Sequence, residues 1–188
     1  MRRVHQQFDA TWHPRRRQRL NHAVGLSVWH QRVAGALKDQ QRRVAAMELG
    51  GWDTHTAQAS RIAGPLKALD DGMVALKTAL GPAWKRTVVL TMTEFGRTVR
   101  MNGTGGTDHG TASVAFLMGG SVKGGRVVAN WPGLGPGKLL EDRDLLPTAD
   151  LRGLAKGALG DHLGLRQTAL EKIFPGSSGV ESMKNLLA

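Results

Sequence analysis

Short apolar runs and one long amphipathic stripe organise the chain from residue 44 onward. Residues 44–49, 87–92 and 114–118 are mostly apolar and are bounded by glycine or polar residues, and a short fourth strand is predicted at Arg126-Val127-Val128. Such runs are typical of strands. Because they are nearly all apolar and do not alternate, they predict strands that are covered on both faces, as in parallel sheets.

An amphipathic helix is predicted between the first two strands. Its apolar positions recur every three or four residues: Ile62, Leu66, Leu69, Met73, Leu76 and Leu80. This interval places them on one face of an α-helix, which Gly81-Pro82 ends. Spaced leucines predict a second helix over 147–163, beginning near Thr148. Parallel-type strands that alternate with helices predict an α/β sandwich.

Residues 1–43 lack this regularity. They contain four of the seven histidines and the run Arg15-Arg16-Arg17, and only 22–38 carries a weak helical pattern. Their composition is typical of a disordered or poorly packed basic tail, with a nucleic-acid-binding arm as the alternative. Most of the net charge of +11 comes from this end of the chain, because residues 1–46 hold ten Lys and Arg against two Asp. The charge of the patterned part therefore does not favour nucleic acid as a partner.

Composition excludes several classes of protein. The 188 residues suffice for one domain with a hydrophobic core. Cysteine is absent, which excludes disulfides, thiolate zinc sites and cysteine nucleophiles and leaves the redox compartment open. No apolar run approaches the roughly 18 residues of a membrane helix, so no membrane span is expected. Arg2 and Arg3 are followed by polar residues, so no signal peptide is expected either.

Polar residues gather next to the predicted strands. One cluster, at 50–55, follows the first strand, and a second, at 93–98, follows the next strand. A third cluster, at 106–110, precedes the strand at 114–118 and comes after a glycine-rich loop. Ligands of open α/β sheets collect at the carboxyl ends of strands, so the first two clusters are expected at such an end. The loop can bring the third cluster to them.

The residue types in these clusters suit a divalent metal ion. Asp53, His55, Asp108 and His109 supply the oxygen and nitrogen ligands that bind Zn²⁺, Mn²⁺ or Mg²⁺. Asp108 and His109 are adjacent and would point in opposite directions in extended backbone, so one of the two is expected to reach a given ion. Arg97 lies just past a strand end, where its guanidinium can bind an anionic oxygen.

Each residue also has an ordinary structural explanation. Asp53 could cap the following helix, and His55 alone could be a surface or core histidine. Glu94 and Arg97 could form a structural ion pair, and Asp108 could stabilise a turn in its glycine-rich surroundings. Spacing alone leaves these alternatives open.

The clusters also carry a family resemblance. The segments Gly-Gly-Trp-Asp-Thr-His (50–55), Thr-Glu-Phe-Gly-Arg-Thr (93–98) and Gly-Thr-Asp-His-Gly (106–110) resemble the motifs of the bacterial family catalogued as domain of unknown function 1501. Later segments agree with it, at 119–125, 131–134, 143–145, 147–150 and 174–176. The resemblance runs from about residue 44 to residue 174 and is specific, because several separate motifs occur in the right order.

That family is similar to the alkaline phosphatase superfamily, whose members act on phosphate and sulfate esters at a paired divalent-metal site. The resemblance implies a three-layer α/β/α sandwich with a mostly parallel sheet, of which residues 44–176 form an incomplete, C-terminal half. Residues 177–188 would be a tail. The superfamily nucleophile lies in an N-terminal half that residues 1–43 do not resemble, so a truncated or frame-shifted reading frame is expected. Full-length members are expected to be exported to the periplasm.

The resemblance also implies roles for the candidate residues. Asp53, His55 and His109 would hold one metal ion, with Asp108 as a ligand or as the partner of one. Glu94 would bind a second ion or act as a general base, and Arg97 would contact the ester anion. Glu94-Phe95 stands where the superfamily usually has an Asp-His pair, which removes one imidazole.

The function expected from this resemblance is metal-dependent hydrolysis of phosphate or sulfate esters. The alternative is a non-catalytic, metal-binding or structural fragment that self-associates through an exposed sheet edge. The serines offer no clear nucleophile, because Ser113 begins an apolar strand, Ser121 lies in a glycine turn, and neither is in a nucleophile elbow.

Overall fold

The computed structural model of the protein describes residues 34–35 and 43–188. The predicted basic head and its weak helical pattern therefore lie almost wholly outside the described residues. Within the described part, no helix is long and apolar enough to cross a membrane.

Four α-helices and one 3₁₀-helix lie in residues 43–188. They are α1 (Gln58–Arg61), α2 (Ala63–Leu80), the 3₁₀-helix (Gly81–Arg86), α3 (Leu151–Leu163) and α4 (Gln167–Ile173). The predicted apolar stripe from Leu66 onward lies on α2, where Leu66 is 51% exposed and Leu76 and Leu80 are almost completely buried. Gly81 ends α2 with a φ of 53°, a conformation that glycine adopts without steric cost.

Six short strands pair as three antiparallel, two-stranded sheets. Strand β1 (Val89–Thr91) pairs with β4 (Phe116–Met118), and Leu90 lies opposite Leu117. Strand β2 (Gly96–Arg97) pairs with β3 (His109–Gly110), and β5 (Leu139–Leu140) pairs with β6 (Asp144–Leu145). The architecture is a small mixed α/β arrangement.

The predicted three-layer sandwich with a mostly parallel sheet is therefore wrong. Strands β1 and β4 lie within the apolar runs predicted as strands, but they pair directly with each other and in opposite directions. The runs at 44–49 and 126–128 form no strand, and Val44 and Val127 are 67% and 92% exposed. A short apolar run shows that a segment can pair, but it carries no information about the direction of its neighbour or about whether a neighbour exists.

Helix α2 and strand β1 share a small core. Ala34, Leu76 and Leu80 are buried together, and partly buried Trp84 and Val89 pack against them. Burial of each leucine contributes about 2 kcal/mol. This packing fixes the start of β1 and thus the position of the polar segment that follows it.

The last residues of the chain pack on α3. Lys156 of α3 has no exposed surface, and its Nζ donates hydrogen bonds to the backbone carbonyls of Ser177 and Val180. A Cβ on Gly157 would lie 2.1 Å from the Met183 carbonyl oxygen, so glycine permits this close approach. Residues 177–188, predicted as a tail, thus make specific backbone contacts with the helix.

Candidate metal centre

Three separate segments meet at one end of the β2–β3 pair. The register of that pair places Arg97 opposite His109. The backbone of Thr107 donates to the Thr54 carbonyl at 3.2 Å, and an isolated bridge joins Thr56 to Gly105. These contacts bring together all three polar clusters of the sequence.

Asp53, His55 and His109 point three ligand atoms at one another. The Nε2 atoms of His55 and His109 each lie 3.0 Å from Asp53 Oδ1, and the two Nε2 atoms are 3.2 Å apart. Ligand atoms about 2.0 Å from a tetrahedral zinc ion are about 3.3 Å from one another. The triangle therefore has the size at which these three residues can hold one metal ion. We call these three residues the triad.

The carboxylate of the triad also accepts a hydrogen bond from an arginine. Asp53 Oδ1 also accepts a hydrogen bond from Arg97 Nη1 at 2.6 Å, so three nitrogen atoms surround one oxygen. The hydrogen bonds from Arg97 and His109 hold the pKa of Asp53 below its usual value. Asp53 is thus a carboxylate at neutral pH, and it presents the negative charge that a cation requires.

Asp108 lies on the other side of His55. Its Oδ1 is 3.1 Å from His55 Nδ1, and it accepts a hydrogen bond from Asn102 Nδ2 at 3.0 Å. The bonds from Asn102 and His55 keep the pKa of Asp108 below its usual value. A carboxylate on Nδ1 assigns the proton to that nitrogen and leaves the Nε2 lone pair directed toward the triad. The adjacent Asp108 and His109 thus face different partners, and only His109 is in the triad.

Arg97 is fully engaged in holding the site together. Besides its bond to Asp53, its Nε donates to Thr107 Oγ1 at 3.1 Å and its Nη2 donates to the Thr107 carbonyl. Its side chain is only 23% exposed. The alternative of an ion pair with Glu94 is not formed. Glu94 is exposed, and no hydrogen bond or ion pair joins it to any other described residue.

The surroundings of the triad exclude a helix-capping role for Asp53 and include the ring of Phe95. Asp53 does not cap a helix, because the residue before α1 is Ala57 and no side chain caps that end. Phe95 packs against the site, with its ring 4.5 Å from that of His109. The His55 and His109 rings are 4.8 Å apart and are tilted by 49°. Phe95 therefore forms an apolar wall beside the triad.

A family comparison agrees with the motifs that meet here. A sequence model of the family described as "Protein of unknown function (DUF1501)" matches residues 30–174, more than half of the chain. The chain belongs to the DUF1501 family. This match confirms the family predicted from the motifs, and it begins within the segment predicted as a head. No curated protein matches this DUF1501 chain, and no solved structure does.

The DUF1501 match includes residues that sequence reasoning missed. Two buried hydroxyls, Thr54 and Thr107, both donate to Gln58 Oε1, at 2.9 and 2.5 Å, and so join the first and third clusters. Arg143 Nη2 donates to the His109 carbonyl at 3.1 Å. Asn102 lies between the two histidine-bearing segments. The only signal for it in the sequence is an Asn-Gly pair, which is typical of any turn.

A cavity opens beside the triad of this DUF1501 chain. It has a volume of about 370 Å³ and is lined by Gly51, Asp53, Thr54 and Arg61. The guanidinium of Arg61 donates to Thr56 Oγ1 at 3.0 Å and forms no ion pair with any described residue. A positively charged side chain is therefore available at the edge of this cavity.

Proposed function

We propose that this chain is a metal-dependent hydrolase of phosphate or sulfate esters, or the C-terminal half of one that lacks its nucleophile. The observation that carries the proposal is the triangle of Asp53 Oδ1, His55 Nε2 and His109 Nε2, with sides of 3.0 to 3.2 Å. Two imidazoles and a carboxylate favour Zn²⁺ or Mn²⁺ over Mg²⁺. The same donor set also occurs at Fe²⁺ sites.

A bound divalent ion polarises an ester oxygen and lowers the pKa of a water molecule. The protein's own side chains would orient the reactants. Arg97 fixes the Asp53 carboxylate, and Asp108 fixes the ring of His55. Glu94 is exposed just after β1, where it could accept a proton from a nucleophile.

Arg61 is the better candidate for contact with an ester anion. The prediction from the sequence gave this role to Arg97, whose nitrogens are already bonded to Asp53 and Thr107. Arg61 lines the cavity beside Asp53, and a guanidinium binds phosphate or sulfate oxygens in fork geometry. The ester class itself is supported by the resemblance of the DUF1501 motifs to the alkaline phosphatase superfamily.

One ion per chain is the proposed stoichiometry. Phe95 stands where that superfamily usually has a second imidazole, and its ring packs on His109. Within the described residues, Asp53, His55 and His109 are the one group placed to hold a metal ion. A second ion would need ligands other than these three residues.

A non-catalytic metal-binding module is the second candidate. It is favoured by the exposed position of Glu94, which forms no hydrogen bond or ion pair with any described residue, and by the hydrogen bonds of Arg97 to Asp53 and Thr107. Ser121 Oγ donates to the Lys85 carbonyl, which is a structural role. Turnover of an aryl phosphate or aryl sulfate by the metal-loaded chain, lost in Arg61→Met, would favour the hydrolase. Metal binding without turnover would favour the module.

Metal content of the purified chain tests the site itself. Elemental analysis of the wild type is expected to give about one divalent ion per chain, and His109→Ala should lose it. His162→Ala is the matched control, because His162 lies in the last turn of α3 and outside the triad. A wild-type sample that melts cooperatively but holds no metal after incubation with Zn²⁺, Mn²⁺ and Fe²⁺ would refute the metal centre.

A further inference from the structure

Asn102 connects the two segments that carry the histidines of the triad. Its Nδ2 donates to the backbone carbonyl of His55 at 3.0 Å and to Asp108 Oδ1 at 3.0 Å. An asparagine amide has two N–H donors, so both are used, and both are directed at groups that hold His55. One contact fixes the His55 backbone, and the other fixes the carboxylate that orients its ring.

The oxygen of the same side chain closes the glycine-rich loop. Asn102 Oδ1 accepts hydrogen bonds from the backbone nitrogens of Thr104 and Gly106, at 3.1 and 3.0 Å, and from Thr104 Oγ1 at 2.9 Å. The Asn102 backbone nitrogen donates to the Gly106 carbonyl at 2.8 Å. The loop that leads to Asp108 and His109 is therefore built around this one side chain.

The loop also lies directly against His55. A Cβ on Gly106 would be 2.1 Å from the His55 carbonyl carbon, a distance that only glycine permits. The Thr104 hydroxyl has one hydrogen, which it shares between Asn102 Oδ1 and the His55 carbonyl, and the latter is 2.8 Å from Oγ1. A displacement of the loop would therefore move His55 and His109 relative to each other.

We propose that Asn102 is a positioning residue of the metal centre, which sets the separation and orientation of His55 and His109 without contacting the ion. This inference rests on the proposed metal site. An asparagine that only closes a turn would need its oxygen alone. Here the nitrogen makes two further contacts outside the loop. The two halves of the amide thus have separate roles, and they can be separated by substitution.

Asn102→Asp separates these roles. Aspartate has nearly the same shape and keeps an oxygen for the nitrogens of Thr104 and Gly106, but it loses both donors and places a second carboxylate beside Asp108. We expect at least a tenfold loss of Zn²⁺ affinity, measured by competition with a chelator, because removal of the groups that orient metal ligands typically costs ten- to a hundredfold. The melting temperature of the metal-free chain should change far less than in Asn102→Ala, which loses both halves.

A second readout needs no metal. In ¹⁵N NMR of the metal-free wild type, the neutral ring of His55 should appear as the Nδ1–H tautomer, because Asp108 Oδ1 lies 3.1 Å from Nδ1. In Asn102→Asp this signature should shift toward an average of both tautomers. Asn130→Asp is the matched control, because it makes the same charge change at an exposed residue outside the site.

The outcomes are distinguishable. Wild-type zinc affinity and an unchanged His55 tautomer in Asn102→Asp would overturn the positioning role. A wild type that binds no metal would instead refute the proposed function, and the tautomer shift would still test Asn102. If Asn102→Asp does not fold, Thr104→Val removes one contact to the His55 carbonyl and should weaken zinc binding about threefold. Unchanged binding in that variant would also overturn the proposal.

Discussion

In two regions of this molecule, a glycine allows two backbone segments to come into close contact. The neighbouring polar side chains are exposed to solvent in one region and buried in the other. At the candidate metal centre, Gly106 lies against His55, while side chains of the triad remain open to solvent: Asp53 is 66% exposed and His109 is 53% exposed. Their acceptor atoms are held at fixed distances and face one another. Atoms arranged in this way could hold a metal ion.

In the second region, Gly157 lies against the Met183 carbonyl, and its neighbour Lys156 is completely buried. The ammonium group donates to two backbone carbonyls, so the buried charge is satisfied within the protein. The comparison teaches that a polar side chain in a glycine-rich contact is structural when its partners enclose it. It is a candidate for binding when the partners orient it and leave it open.

The largest effect is expected from a substitution of Lys156, in the region where the polar side chain is buried. Lys156→Ala removes the donor of the partly buried Val180 carbonyl and one of the two donors of the Ser177 carbonyl, and it creates a cavity. It should lower the free energy of unfolding by about 3–5 kcal/mol. Urea unfolding measures this change. Lys172→Ala, at an exposed position of α4, is the control and should change stability by less than about 0.5 kcal/mol. Equal effects of the two substitutions would contradict the structural role of Lys156.

A pair of substitutions on one helix tests the close contact. Gly157→Ala forces a Cβ against the Met183 carbonyl oxygen and should destabilise the protein by about 2 kcal/mol. Gly160→Ala meets only ordinary contacts at 3.6 Å and should stabilise α3 by about 0.5–1 kcal/mol. The urea midpoints of the two variants should therefore move in opposite directions.

Substitutions next to the solvent-exposed triad should change the Zn²⁺ affinity more than the free energy of unfolding. Arg97→Gln removes the charged donor that holds Asp53, and we expect about a tenfold loss of Zn²⁺ affinity. Arg100→Gln is the control, because Arg100 pairs with exposed Asp142 and not with the triad. Titration calorimetry compares the two variants. A loss of Zn²⁺ affinity that is equal in both variants would contradict a specific role of Arg97 in holding Asp53.

The smallest effect concerns the start of α3. Asp150 caps this helix by accepting a hydrogen bond from the Arg152 nitrogen at 2.8 Å, and Asp150→Ala should cost about 1 kcal/mol at neutral pH. The Arg152 side chain also holds the pKa of Asp150 below its usual value. The contribution of the carboxylate is therefore present above the unfolded-state pKa of about 3.9 and is lost as the pH falls through the lower folded-state value.

Urea unfolding of the wild type and Asp150→Ala at about pH 7 and about pH 3 checks this prediction. The difference in stability between them should shrink at the lower pH. Asp161→Ala, in the last turn of the same helix, should not show this pattern. A constant difference for Asp150→Ala would mean that the carboxylate charge contributes nothing.

The sequence predicted local elements better than their arrangement. The spacing of Leu76 and Leu80 defined α2, because helical periodicity depends only on neighbours three and four residues away. Strands β1 and β4 lie within predicted runs, but their antiparallel pairing depends on long-range contacts. The exposed run at 44–49 shows that apolar character alone does not provide a strand with a partner.

The sequence predicted the three residues of the triad together with Asp108, which lies outside it, and did not predict the side chains that hold them in place. Asp53, His55 and His109 were recognisable because few residue types bind metals. The bond between His55 and Asp108 joins residues 53 positions apart and depends on the path of the glycine-rich loop. The importance of Asn102 depends on the same path, so the sequence shows only a turn residue there.

The Asn-Gly pair at 102–103 also has a chemical consequence over time. In this dipeptide the nitrogen of the small following residue can attack the side-chain amide, which releases ammonia and, after water opens the ring, leaves aspartate or its isomer. The aspartate product is the same change as Asn102→Asp. While the loop is closed, five hydrogen bonds hold the amide in place and oppose this attack. Stored protein should therefore lose zinc affinity at a rate set by opening of the loop, and bound metal should slow that ageing.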